Sequence, residues 1–412
     1  MGRLFWIVAC AAAFGGAGVP RAYAFEDTRV MPRGVRRLSL RMVTSDIKAK
    51  TSPSGDRMEL SKPLNKDLKF KDVVKSEDNP TKRNLTKGFL GYADYDANQS
   101  VGAFDGKVRT RVSVFAPILT YGLTDVVTVA AAMPIFNMAT SVGLGFKGNA
   151  TGQDFVDTLA NGYNNQRTSA VDASEKFANA VQRLNDKLDR NGYRRLENWQ
   201  ETGPGDLTVL AKWRSFESTY FQSAIQGGVV APTGRVDDPD NLIDKGFGDG
   251  QWDIFQTVGF DQPIGETGLL VNEFVRYTWQ LPGERTVRLQ TEEETIEVEK
   301  TNARFKLGDK IDAGTSLQYG SDIGLTSGVG YNFFHKGEDF YDVDAAARDK
   351  LERDTLEQSH QLEVEIGYSA VPAYRRKQVP VPFETKFNYK YQLASRNMPI
   401  THLFQLDAGV FF

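Results

Sequence analysis

The sequence predicts an all-β fold: a transmembrane antiparallel up-and-down β-barrel of about twelve strands, with a helical insertion in one external loop. Three observations predict it. Segments of about ten residues repeatedly alternate apolar with polar side chains, and the connections between them alternate short with long. The last such segment, "LFQLDAGVFF", finishes on an aromatic residue.

Residues 1–24, "MGRLFWIVACAAAFGGAGVPRAYA", put Arg3 before an apolar stretch and end in Ala22-Tyr23-Ala24, the small-x-small pattern of a secretory cleavage site. A signal peptide cut after Ala24 is expected. Ile7-Val8-Ala9-Cys10 loosely fits a lipoprotein box, but cutting there would leave too short an apolar region, so lipidation is not expected. Cys10 is the only cysteine, and the exported chain is expected to have no disulfide, thiolate metal site or cysteine nucleophile. Lys and Arg number 50 against 53 Asp and Glu, a net charge of -3, so no basic excess points to nucleic acid. Beyond the leader, no apolar run reaches the roughly 18 residues of a membrane helix, which excludes a helical membrane protein.

Residues 25–84 are polar, charged and rich in Lys and Pro, and are expected to form a periplasmic linker or a plug; residues 85–412 are expected to form the barrel. Strands are expected near 85–97, 107–119, 124–138, 206–217, 219–231, 250–261, 267–280, 304–319, 322–334, 358–370, 381–394 and 401–412. In "KVRTRVSVFAPIL" the apolar set from Val108 to Ile118 is assigned to lipid, and Lys107, Arg109, Arg111 and Ser113 to the lumen. By the same alternation Lys212, Asp253, Arg276, Glu363, Glu365, Lys386 and Lys390 are assigned to the lumen. Lys306, Lys310, Asp206 and Asp312 join them, and the set suits either the transverse field of a pore or a salt-bridged filling. Glu273 and Asp309 fall on faces assigned to lipid, which calls for a bulge, a slipped register or an interfacial position. Short connections after the second, fourth, sixth and eighth segments put both ends of the barrel on the periplasmic side.

In the last segment Phe404, Leu406, Ala408, Val410 and Phe412 share one apolar face. A closed barrel must pair its last strand with its first, so Phe404, Leu406, Val410 and Phe412 are expected to meet lipid and the barrel-assembly machinery. The long external loop 139–205 holds an expected helix over 170–189, with Ser169 as N-cap and Phe177, Val181, Leu184 and Leu188 on one face. That stripe must be buried, either on its own loop and the rim or as a lid over the mouth. The acidic loop Asp237, Asp238, Asp240 and Asp244 lacks calcium-loop spacing and is read as solvated, bridged by divalent ions to lipopolysaccharide. His335, His360 and His402 lie near the external rim without metal-ligand spacing. Gly143, Gly145 and Gly148 spell G-x-G-x-x-G without the βαβ context of a nucleotide site and read as a flexible strand exit. No metal or cofactor is expected.

Two stretches, "FAPILTYGLTDVVTVAAAMPIF" (Phe115 to Phe136) and "GGVVAPTGRVDDPDNLIDKGFGDGQWDIFQTVGF" (Gly227 to Phe260), resemble the outer-membrane transporters of the meta-pathway phenol-degradation family. That resemblance implies a passive outer-membrane channel or transporter for small molecules, hydrophobic or aromatic ones included. The alternative is a structural or interaction barrel with a closed lumen, whose external loops bind a partner. Twelve strands also match an outer-membrane phospholipase, but that family places its nucleophilic serine two residues after its histidine. The corresponding positions are Gly337, Leu362 and Phe404, so no enzyme is expected. Expected partners are outer-membrane lipids, lipopolysaccharide, the assembly machinery and a small solute, with no nucleic acid.

Overall fold

The structure, a computed structural model, describes residues 27–75, 80–162, 175, 179–289 and 299–412. β1 (Arg36–Ile47) opens the wall; β2 (Ala49–Thr51), β3 (Arg57–Glu59), β4 (Asp67–Lys69), α1 (Phe70–Lys75) and α2 (Pro80–Tyr92) fill the first long connection. β5 (Ser100–Gly122), β6 (Val127–Ala132) and β7 (Ile135–Gly148) follow, and α3 (Ala150–Gly162) and α4 (Ala180–Arg190) lead to β8 (Trp199–Pro204). The wall continues with β9 (Leu207–Glu217), β10 (Gln222–Ala231), β11 (Asp253–Pro263) and β12 (Leu269–Gln280). β13 (Gly283–Leu289) and β14 (Glu299–Lys306) form a flap before β15 (Lys310–Gly320) and β16 (Leu325–Lys336). Then come β17 (Phe340–Asp342), α5 (Ala345–Glu352), β18 (Glu357–Ser369), α6 (Val371–Arg375), β19 (Phe383–Arg396) and β20 (His402–Phe411).

Twelve antiparallel strands run β1-β20-β19-β18-β16-β15-β12-β11-β10-β9-β6-β5, and β5 returns to β1 to close the barrel. Closure pairs the backbone groups that lipid cannot satisfy. The outer face is apolar for the same reason: Leu38 and Met42 on β1, Val209 and Trp213 on β9, and Phe404, Leu406 and Val410 on β20 are all exposed. By the convention of such barrels the short turns face the periplasm and the long connections face outward. At the external tip of β5, α1, α2 and α3 bury Phe70, Val74, Leu90, Phe155 and Leu159 in a cluster of their own.

Three expectations need correction. The segment 85–97 is not a strand: α2 and a turn occupy it, and β1, inside the stretch expected to be linker or plug, closes the wall instead. The faces of β5 are reversed. Thr110 and Val114 are buried inside, whereas Arg109, Arg111, Phe115 and Leu119 are exposed outside. The external half of this strand rises above the hydrocarbon band, so its outer face meets a polar medium and its inner face is apolar. Asp309 lies where the expected strand 304–319 breaks between β14 and β15, accepting hydrogen bonds from the Tyr277 hydroxyl at 2.9 Å and the Gln280 amide at 3.0 Å. Glu273 stays on the outer face in unbroken register with Phe260 and Thr315. The three glycines of G-x-G-x-x-G lie within β7, paired with β5.

Because β1 is held on both edges, Met42→Pro, which removes a ladder donor between β5 and β20, should abolish the heat-modifiable gel band of the folded barrel. Leu85→Pro, in α2, should leave that band in place; the reverse result would restore the segment at 85–97 to the wall.

Candidate functional site

The lumen has two unlike halves. In the periplasmic half the inward residues of β18, β19, β20 and β1 form a charge ladder: Lys386 to Glu365 at 3.0 Å, Lys390 to Glu363 at 3.1 Å, and Arg41 to Asp407 at 2.6 Å. Glu363 also accepts from the Asn332 amide at 2.8 Å. Across the lumen the fully buried Arg276 donates to the Thr257 hydroxyl at 2.7 Å and lies over the Phe255 ring. Unpaired, such charges would each carry a large desolvation cost; paired and hydrogen-bonded, they fill the space.

Residues 27–33 occupy the remaining space, descending inside the barrel before Gly34, at a φ of 82°, reverses the chain into β1. The Thr28 amide and hydroxyl both donate to Asp261, at 2.8 and 2.7 Å, and Thr28 is wholly buried. Lys212 donates to the Asp27 carbonyl at 2.8 Å, and the Met31 and Arg33 amides donate to Thr128 and Asp125. Nothing in the local sequence signals this segment, because its partner Asp261 is 233 residues away.

Above this filling lies a cavity of about 310 Å³. One wall is apolar, with Val43, Ile47, Val112, Phe136, Met138 and Phe247. The other carries Asp206, Asp249, Asp253, Lys310 and Glu357. Lys310 stands 3.7 Å from Asp253 and 3.9 Å from Asp249, and the Gln280 amide donates to both carboxylates. Of the lumen residues expected from sequence, Asp206, Asp253, Lys310, Asp312 and Lys390 line the cavity; Lys212, Glu365 and Lys386 lie below, around Asp27. Arg109 and Arg111 are not lumen residues at all.

The acidic loop is engaged by basic side chains rather than left to solvent, which corrects the reading of it as a solvated loop. Arg235 holds Asp244 at 2.6 Å and Glu201 at 2.8 Å, Arg194 holds Asp238 at 2.9 Å, and Arg288 and Lys300 hold Asp240. Residues 232–252 therefore form a strap across the strip of wall between β8 and β13, and drop Phe247 into the lumen stacked on Phe136 at 5.8 Å. The approach depends on glycine: a Cβ on Gly205 would lie 2.3 Å from the Phe136 ring, and one on Gly248 2.4 Å from the Asp206 carboxylate. The turn motif was legible in "PTG" and "GFGDG"; its insertion into the barrel was not.

The expected helix is described from Ala180 onward as α4, and Phe177 and Ser169 lie outside the described residues. Leu188 is buried and Leu184 packs beside it, against Leu64, Tyr193, Leu196 and Ile243 with the inward Val108 and Val142. The stripe thus rests on loops and on the inner face of the β5–β7 extension. The histidines do not converge: His360 pairs with the Tyr331 hydroxyl at 2.6 Å and His402 with that of Tyr389 at 2.7 Å. Among the described residues no group of His, Cys, Asp and Glu is arranged to hold a metal ion.

No family model matches the sequence, and no curated protein matches it significantly. The fold is similar to the COG4313 outer membrane channel of Pseudomonas putida F1, with a TM-score of 0.53 at 13% identity over 95% of this chain and 100% of that one. A Pseudomonas aeruginosa FadL homologue (TM-score 0.34, 9% identity, 100% and 98% of the two chains) is a more distant likeness. So is the toluene transporter TbuX of Ralstonia pickettii (TM-score 0.34, 11% identity, 92% and 90%). At 13% identity the first likeness establishes the class of fold, a transmembrane β-barrel.

Asp249, on the strap, has its carboxyl pushed up to about 6 by burial and by the neighbouring Asp253 and Asp206, against the pull of Lys310. A folded pKa above the unfolded value of about 4 means that the folded chain keeps this proton longer. The contribution is favourable at low pH and is lost as pH rises from about 4 to about 6. Asp249→Asn should flatten the fall in gel-shift melting temperature across that window; an unchanged profile would show that Asp249 does not titrate there.

Proposed function

We propose that this protein is an outer-membrane channel for the passive uptake of small hydrophobic or aromatic molecules, reached after cleavage of a signal peptide near Ala24. The observation that carries the reading is the cavity of about 310 Å³, apolar on one wall, set in the external half of a closed barrel. Water-filled pores for polar solutes have polar interiors. Here Val43, Val112, Phe136 and Met138 turn inward where Asp46, Arg109 and Arg111 turn outward, so the wall favours an apolar guest over water. The polar groups opposite it offer donors and acceptors to a ring substituent such as a hydroxyl. The substrate class agrees with what the resemblance to the phenol-degradation family implies. No catalytic role is proposed.

Passage to the periplasm requires a path through the filled half, and residues 27–33 are the element that supports one. They belong to no strand and are held by hydrogen bonds and charge pairs, chiefly Thr28 to Asp261 and Lys212 to Asp27. A second reading, a structural barrel, is favoured by the same filling if the segment stays in place.

Planar-bilayer conductance and liposome uptake of toluene separate the two. The wild type should take up toluene, and Val112→Phe, which narrows the cavity, should slow uptake severalfold. Deleting residues 27–33 should raise ion conductance severalfold. A folded barrel that neither conducts nor takes up toluene, with or without residues 27–33, would reject the channel in favour of the structural barrel.

A further inference from the structure

The two arginines that leave the lumen come to lie on the outer wall, among other cations. The Arg109 guanidinium meets Asp46 of β1, with Nε at 2.7 Å and Nη2 at 2.5 Å from its oxygens. Lys48 and Arg111 are within electrostatic reach of the same carboxylate. Lys107 shares this outward face of β5, and Lys147 of β7 stands 3.4 Å from Asp105. The face carries Lys48, Lys107, Arg109, Arg111 and Lys147 with Asp46 and Asp105 among them, and the exposed Asp67, paired across from Ala103, lies at its upper end. Elsewhere on the outer wall the exposed side chains include the aromatics Trp252, Trp279, Tyr331 and Tyr391.

The height of the patch is fixed by register. Arg111 pairs across from Asp46, and four residues further down Phe115 pairs across from Met42, both exposed and apolar. Four residues of a tilted strand rise about 10 Å, which puts the cations immediately above the hydrocarbon band. Charges at that height face lipid head groups rather than bulk water. Arginine's planar fork matches phosphate oxygens two at a time, and lysine adds a point charge. Beside them the outward face of β7 is nearly bare: a Cβ on Gly143 would find its nearest neighbour at 3.9 Å. That leaves room for a sugar.

We propose that Lys48, Lys107, Arg109 and Arg111 form a binding site for the phosphates of a phosphorylated glycolipid head group, as found in the outer leaflet of the outer membrane. The site requires insertion in the membrane but not the channel reading. It moves the glycolipid contact away from the acidic strap, whose carboxylates are already taken by arginines.

Native mass spectrometry of the full-length folded barrel tests it, with bisphosphorylated lipid A, its dephosphorylated form and phosphatidylglycerol as probes. The wild type should bind bisphosphorylated lipid A at least tenfold more tightly than either of the others. Replacing Lys48, Arg109 and Arg111 together by Gln should weaken that binding at least tenfold, since each basic side chain at an anionic lipid surface is worth roughly fivefold. Asp46→Asn, which keeps every cation, should tighten it. Equal binding of the dephosphorylated lipid would overturn the site, and equal binding of phosphatidylglycerol would reduce it to general attraction for anionic lipid. Should the triple variant not fold, the lipid comparison and Asp46→Asn decide alone; a folded triple variant with unchanged affinity rejects the proposal.

Discussion

Lipid offers the backbone no hydrogen-bonding partner, and every other feature of this chain is arranged around that deficit. The ladder must close, and it closes through β1, which accepts β20 on one edge and β5 on the other. The seam runs to its end: the Arg36 amide donates to the Phe412 carbonyl at 2.8 Å, and the Phe412 amide to the Arg36 carbonyl at 2.9 Å. Once the wall is closed its inner face is sealed from lipid and its outer face from water over the membrane band. Side-chain polarity then follows from position on the wall.

Along β1 and β5 the alternation holds its phase while the medium changes. Low on β1, Leu38 and Met42 face out and Arg37 and Arg41 face in; high on the same strand Asp46 faces out while Val43 and Ile47 are buried within. β5 does the same, with Phe115 and Leu119 outside at the lipid and Arg109 and Arg111 outside above it. A strand that leaves the hydrocarbon band exchanges acyl chains for a polar medium outside, and its inner face becomes the place left for apolar groups. That exchange creates the apolar wall of the cavity and the basic patch on its back, two surfaces of one reversal.

This also explains what the sequence could and could not convey. Period-2 alternation identifies a strand and its two faces, and the segments that became β9, β18, β19 and β20 are legible because one face is apolar throughout. In "FAPIL" both faces are apolar, so the charged Arg109 and Arg111 gave the only asymmetry, and above the membrane that asymmetry points the opposite way. β1 was legible too: Leu38, Leu40 and Met42 alternate with Ser39 and Arg41, but the run sits within some sixty residues of charged composition that masks it. "KGFLGYADYDA" lacked clean alternation and is mostly helix. The lumen segment and the strap were out of reach, because Thr28 to Asp261 and Phe247 to Phe136 are contacts between distant residues that no local pattern encodes.

The filled half of the lumen is not uniformly held. The buried Lys390–Glu363 pair is built into wall strands, and removing one partner of such a pair typically costs about 3–5 kcal/mol. Residues 27–33 form no strand; their hydrogen bonds to Gln222 and Thr128 are each worth about 0.5–1.5 kcal/mol net, and those to the ionisable Asp261 and Lys212 about 1.5–3 kcal/mol. They are tied to the barrel at Gly34, beside the Gly122 carbonyl at the periplasmic turn. A rearrangement that opens the lumen downward therefore has one element outside the strand ladder to move, hinged at its lower end, while the paired wall around it stays intact.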